Sequence, residues 1–175
     1  ADVSTEAAAL AYAEERLAAG KYLSLGGFGG YVVVGFDHSI VAGDDYDFSI
    51  AGNMYEGSSE AGIVWVMQDT NGNGLPDDEW YEIAGSAHRD VKSEAFYQLA
   101  QKAGLDVAFY TDYQITYYRP ASEPDEPTEQ YIRWTDNKQG EGYMVKNEFH
   151  LQSYFPQWIT DNELTFSGSR LPQNG

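Results

Sequence analysis

The 175-residue sequence contains no cysteine. That single absence excludes disulfides, thiolate metal sites and thiol nucleophiles together. Basic residues are scarce as well: Lys and Arg total 10 against 28 Asp and Glu, a formal net charge of −18. A surface this negative repels phosphate backbones, which argues against nucleic acid and anionic membranes as partners. No stretch approaches the roughly 18 apolar residues that span a bilayer, so no direct membrane insertion is expected in this segment. No signal peptide is visible and the first residue is Ala1, so the chain reads as a trimmed or mature segment. The three histidines, His38, His88 and His150, have no partner at zinc-ligand spacing.

Hydrophobic residues make up 42% of the chain and aromatics 15%, enough for a core and too much for a disordered chain. The length suits a single domain over 1–175. The 14 tyrosines outnumber the 8 phenylalanines, and tyrosine suits half-buried strands and wet binding faces.

The pattern predicts a helix capped by Ser4, with Leu10, Ala13 and Leu17 on one face and Gly20 as its stop. It is expected to pack on a sheet at the periphery. A second helix is predicted over Ser93–Ala103, with Phe96, Leu99 and Ala100 on one face and Gly104 at its end. Strands are predicted at Tyr22–Leu25, Tyr31–Phe36, Tyr46–Ile50, Gly62–Gln68, Trp80–Ala84, Tyr113–Tyr118, Tyr131–Trp134, Tyr143–Val145 and Glu163–Ser167. Ala121–Thr128 reads as an acidic, proline-bearing loop. Short strands separated by glycine and proline turns point to a mostly-β fold, an antiparallel β-sandwich of jelly-roll type with one or two peripheral helices.

The run Gly26-Gly27-Phe28-Gly29-Gly30 is not a phosphate loop. It lacks the Lys-Ser/Thr pair, and a β-prone segment follows it where a helix N-terminus would be needed. It reads as a turn between strands.

The segment Asp69-Thr70-Asn71-Gly72-Asn73-Gly74-Leu75-Pro76-Asp77-Asp78 has the layout of a calcium loop. Counting Asp69 as position 1, Asn71 and Asn73 fall at positions 3 and 5. Gly74 falls at the sharp turn, the Leu75 carbonyl at position 7 and Asp77 at position 9. Trp80 occupies position 12, where a bidentate Glu belongs, so Asp78, Glu79, a distant residue or water must close the shell. Two Asn in place of Asp lower the ligand charge, and the expected affinity is that of extracellular modules, roughly 10⁻⁴–10⁻³ M. A structural Ca²⁺ is expected here. The same residues also make ordinary turns.

Catalytic signals are weak. Asp37-His38-Ser39 holds the residue types of a hydrolase triad, but neighbours on a strand point to opposite faces. With 28 acids, some carboxylate pair at glycosidase spacing is expected by chance. His88 reads as a loop residue, and His150 is expected to pack beside Phe149, Tyr154 and Phe155. The aromatics Trp80, Tyr81, Tyr117, Tyr118, Trp134, Tyr143 and Trp158 fall near strand ends or loops. Of these, Trp80, Tyr81, Tyr118 and Trp134, with Asp136 and Asn137, are the expected ligand-binding set, because flat rings beside polar groups suit sugars or a corrin.

Longer runs add a resemblance. Ser24-Leu25-Gly26-Gly27-Phe28-Gly29-Gly30-Tyr31-Val32-Val33-Val34-Gly35-Phe36-Asp37-His38-Ser39-Ile40 carries it most clearly. Tyr46 to Asn53, Ser58 to Val66, Asp69 to Ser86, Tyr117-Tyr118-Arg119-Pro120 and Trp134-Thr135-Asp136-Asn137 extend it over nearly the whole chain. Together they resemble the secreted "cell surface protein" domains of Bacteroides-type gut bacteria. The resemblance implies an exported surface protein, lipid-anchored at the outer membrane or secreted, and non-enzymatic. The aromatics lead one to expect an extracellular small molecule or glycan as partner, and the resemblance adds a cobalamin-type ligand and an outer-membrane receptor. It also implies a further aromatic strand after Ser169-Arg170-Leu171, either missing here or carried on another fragment. Two other readings stand beside this one: a carbohydrate-active enzyme or its accessory binding domain, and a structural adhesin domain.

Overall fold

A computed structural model of the chain describes residues 3–56, 58–88, 95–150 and 152–172. The architecture is mostly β, antiparallel and sandwich-like, with two helices, as the sequence leads one to expect. Contacts divide the chain into two compact units, Ala1–Gly30 with Thr111–Gly168, and Tyr31–Tyr110 with Ser169–Gly175.

The first unit begins with helix α1, Glu6–Ala18. Its N-cap is Thr5 rather than Ser4: Thr5 has extended backbone, and its hydroxyl accepts the Ala8 N–H at 3.2 Å. Gly20, at φ +62°, ends the helix as predicted. The Lys21 N–H returns to the Arg16 carbonyl and the Gly20 N–H to that of Leu17, which is the Schellman arrangement. The expected packing of α1 on a sheet is corrected, since none of its residues is buried and Leu10 and Leu17 are exposed.

Four longer strands follow: β5 (Tyr110–Tyr118), β6 (Thr128–Asp136), β7 (Glu141–Lys146) and β8 (Glu163–Arg170). They form one sheet in the order β7-β6-β5-β8. Each contains its predicted strand and extends past it, because pairing with neighbours recruits flanking polar residues that periodicity alone leaves out. Register pairs Tyr117 with Trp134, Thr116 with Thr135, and Arg133 with Tyr143. Alternation then separates two faces. The inner face holds Tyr113, Ile115, Tyr117 and Ile132, all buried.

The glycine-rich turn covers this inner face. The Phe28 ring meets Tyr113 edge-on at 4.9 Å, and the Tyr117 hydroxyl donates to the Phe28 carbonyl at 3.0 Å. Glycine is required where the turn's own backbone packs against itself: a Cβ at Gly30 would stand 1.7 Å from the Leu25 carbonyl oxygen. The expectation that these glycines merely join two strands is corrected, because the segments on either side of them are not strands.

In the second unit the pairs are short: β1 (Met54–Tyr55) with β2 (Ser58–Ser59), and β3 (Trp65–Met67) with β4 (Trp80–Glu82). The last two are the cores of the strands expected at Gly62–Gln68 and Trp80–Ala84. Helix α2, Ala95–Lys102, lies inside the predicted second helix and ends at Gly104, φ +74°. Ser93 lies outside the described residues. Ala100 is buried, whereas Leu99 is exposed.

The strands expected at Tyr22–Leu25, Tyr31–Phe36 and Tyr46–Ile50 are not strands. β-propensity forms a strand only where a neighbour accepts its hydrogen bonds, and these segments have no ladder partner among the described residues. Their apolar side chains stay exposed, Tyr46 at 96% and Tyr31 at 78%.

Candidate functional site

The second face of the four-stranded sheet is open. On β5 it carries Gln114, Thr116 and Tyr118, on β6 Arg133 and Thr135, on β7 Glu141, Tyr143 and Val145, and on β8 Glu163, Thr165 and Ser167. All are exposed or half-buried. Across the strands the side chains bind one another in rows. Gln114 donates to the Ser167 hydroxyl at 3.1 Å, and the Thr116 and Thr165 hydroxyls lie 2.9 Å apart. The Tyr118 hydroxyl meets that of Thr135 at 3.0 Å. The Arg133 guanidinium lies over the Tyr118 ring, 4.9 Å from its centre, and donates to Glu141 at 3.2 Å. The result is a hydrogen-bonded surface with two tyrosine rings on it. At the sheet end, beside the loop after β5, an open depression of about 270 Å³ is lined by Pro120, Ser122, Pro124 and Gln130 among others. It is smaller than an ordinary drug-sized pocket.

Within the first unit, the members of the expected ligand set divide between the two faces of the sheet and its β6–β7 turn. Trp80 and Tyr81 belong to the second unit. The Trp80 indole donates to the Pro76 carbonyl at 3.3 Å, and Tyr81 is exposed with its hydroxyl 2.6 Å from Glu79, which raises its pKa. Tyr118 is on the open face. Trp134 is on the inner face, its ring laid over Gly142, where a Cβ would stand 2.9 Å away. Asp136 and Asn137 hold the β6–β7 turn. Asp136 accepts the Tyr113 hydroxyl at 2.8 Å and the N–H groups of Lys138 and Gly140. Asn137 donates to the Asp112 carbonyl at 2.6 Å. Sequence reasoning centred on aromatics near loops misses Arg133, Thr116 and Thr165. Their signal is the period-two polar series along each strand.

The Asp69–Asp78 loop joins β3 to β4. Asp69 accepts the N–H groups of Gly72, Asn73 and Gly74 at 2.7, 3.2 and 2.9 Å. The Asn71 and Asn73 carbonyl oxygens accept the Asn73 and Leu75 N–H groups, and their amides both donate to Asp77, at 3.1 and 3.0 Å. Those bonds, Asn73 first and Asn71 second, hold the Asp77 carboxyl below its ordinary pKa. Asp78 turns instead to the Thr70 N–H and hydroxyl. In chemical kind the side-chain oxygens of this loop suit a hard cation, and Gly72 and Gly74, both at positive φ, provide the sharp turns. Among the described residues, no three or more His, Cys, Asp or Glu side chains gather as a metal-holding group, so a cation here would draw on Asp69 and Asp77 together with the two asparagine oxygens, the Leu75 carbonyl and water.

Each histidine has a local contact. Asp37 and His38 meet at 2.6 Å, contrary to the expectation for strand neighbours, because this segment is not a strand; both side chains are largely exposed. His88 accepts the Gly85 N–H on Nδ1, so Nε2 carries the proton and donates to Glu82 at 2.6 Å. His150 faces Tyr154 at 6.4 Å, while Phe149 is exposed.

No protein-family model matches the chain, and no curated protein matches it.

Proposed function

We propose that this chain is a non-enzymatic, extracellular ligand-binding module of the bacterial surface, with its ligand lying on the open face of the four-stranded sheet. The observation that carries this reading is the asymmetry of the sheet. One face is covered by Phe28, while the other carries the half-buried Tyr118 and the exposed Tyr143 within a ladder of hydrogen-bonded polar side chains. A face that only needed to be soluble would not require aromatic rings fixed among hydroxyls, whereas ring-shaped extracellular ligands are held by that combination. A structural Ca²⁺ bound by Asp69, Asn71, Asn73, the Leu75 carbonyl and Asp77 would stiffen the β3–β4 connection in the calcium-rich exterior. An outer-membrane location, lipid-anchored or secreted, fits the resemblance drawn from the sequence.

The glycosidase reading has less support. Glu141 on β7 and Glu163 on β8 share the open face at opposite edges. Three strand spacings separate their backbones by about 14 Å, against the roughly 5–10 Å between working carboxylates.

The test is a glycan array with a cobalamin titration, run on the parent and on Tyr118→Ala. Binding that weakens at least tenfold in the variant supports the reading. Binding that ignores the substitution moves the site off this face.

A further inference from the structure

We infer that the open sheet face takes a neutral oligosaccharide, laid across the strands along the row Tyr118–Arg133–Tyr143. This inference rests on the proposed ligand-binding role and names the ligand class for it.

Register sets the row. Arg133 pairs with Tyr143, and continuing the β5–β6 pairing one step beyond Tyr117 and Trp134 brings Tyr118 opposite Arg133. Neighbouring strands lie about 4.8 Å apart, so the two tyrosines flank the arginine over about 10 Å, the length of about two linked sugar rings. Tyr143 is 46% exposed and offers its ring to solvent. Arg133 is fixed between them, stacked on Tyr118 and paired with Glu141, yet its side chain remains 47% exposed and that of Glu141 72% exposed.

The charge pattern selects a neutral ligand. An acidic glycan needs an uncompensated cation. The guanidinium here is already neutralised by Glu141, Glu163 lies on the same face, and the whole chain carries −18. A sugar hydroxyl, by contrast, both donates and accepts. A guanidinium beside a carboxylate offers a donor and an acceptor to adjacent hydroxyls. The next row, Thr165–Thr116–Thr135, adds side chains that do either. The tyrosine rings supply apolar surface for the C–H faces of the sugar, and a ring with few rotatable bonds loses little entropy on binding.

The test is isothermal calorimetry with four probes: cellohexaose, mannohexaose, an oligogalacturonate and cyanocobalamin. They are run against the parent, Tyr118→Ala, Tyr143→Ala and Arg133→Met, with near-ultraviolet circular dichroism as the check on folding. The expected result is that a neutral hexamer binds the parent. Its affinity should change by less than about twofold between low and high salt, because no net charge is neutralised, and fall at least tenfold in each variant. Tyr118→Phe, which keeps the ring, retains binding within a few-fold and separates stacking from misfolding. If only the oligogalacturonate or cyanocobalamin binds, with loss in Tyr118→Ala, the neutral-glycan inference is overturned and the ligand-binding role survives. If neither neutral hexamer binds and no probe responds to Tyr118→Ala, both are overturned.

Discussion

Gly29 lies flat against the ring of Phe166: a Cβ at position 29 would stand 2.3 Å from the ring's Cγ. The backbone there has φ +95°, a conformation that costs an L side chain about 1–2 kcal/mol even in open space. Gly29 therefore has two independent reasons to be glycine, and both serve the seating of the 26–30 turn on the sheet.

The Gly29→Ala variant is expected to lose about 2–4 kcal/mol, the conformational cost plus an overpacking cost of similar size. Urea denaturation would show a lower midpoint with an unchanged slope. Combining it with Phe166→Ala, which removes the obstructing ring, should cost less than the sum of the two single changes. Simple additivity would mean that the two residues do not press on each other.

Two tyrosines should titrate late. Burial pushes Tyr117 up to about 12. Burial, followed by the hydrogen bond to Glu123, pushes Tyr131 up to about 12. A pKa raised in the folded state means stability that is full below the unfolded value of about 10 and is lost as pH climbs through the folded value. In near-ultraviolet absorbance, exposed tyrosines should ionise first. A final cooperative step, coincident with loss of circular dichroism, should appear near pH 12. If every tyrosine ionises near pH 10 with the protein still folded, this account of Tyr117 and Tyr131 fails.

Glu123 ties the loop after β5 to the sheet. Its carboxylate accepts the Tyr131 hydroxyl, the Ser153 hydroxyl at 2.7 Å and the Lys146 ammonium at 3.4 Å. Burial pushes its pKa up, but these partners outweigh burial and leave it below the ordinary value. Lys146 is buried, so Glu123→Gln leaves an ammonium with less compensation. The expected cost is about 1–2 kcal/mol, under the 3–5 of a fully buried pair, because the Glu123 side chain is 41% exposed. This contribution is full above the unfolded pKa of about 4.3 and fades as pH falls through the lower folded value. The melting temperature of the parent should therefore fall more steeply with acid than that of Glu123→Gln, measured as melting temperature against pH.

Calcium should raise the melting temperature. With a dissociation constant of roughly 10⁻⁴–10⁻³ M, about 10 mM Ca²⁺ adds about 1.4–2.7 kcal/mol, which is several degrees for a chain of this length. EDTA should remove the gain, and Asp77→Ala should abolish it. Asp69→Ala should also lower stability in EDTA, because Asp69 accepts three backbone N–H groups with no metal needed. A parent melting curve indifferent to both Ca²⁺ and EDTA would sink the metal proposal.

Local features are legible in the amino-acid sequence itself. Gly20 and Gly104 stop their helices because a left-handed residue is needed there, and glycine adopts it without strain. The Asp69–Asp78 loop folds on hydrogen bonds spanning at most eight residues, so its turn chemistry can be read directly from its letters. The polar alternation along β5 and β8 likewise marks a sheet with one open side. The mostly-β class follows from such local signals, since turns and period-two patterning are properties of short windows.

Pairing and facing are settled by tertiary structure alone. Trp134 and Tyr118 look equivalent as aromatics near strand ends, yet register sends one over Gly142 on the buried side and the other to the open side. One residue of slip would exchange them. Tyr31–Phe36 has stronger β-propensity than Tyr110–Thr111, yet only the latter lies in a strand, because a strand exists by virtue of its neighbour. The glycine-rich turn, excluded by its letters as a phosphate loop, finds its role only through Tyr117 and Phe166, residues 89 and 137 positions beyond Phe28 and Gly29. The amino-acid sequence by itself determined the class, the turns and the charge. The three-dimensional contacts determined which side chains meet, because those meetings are made between segments far apart in the chain.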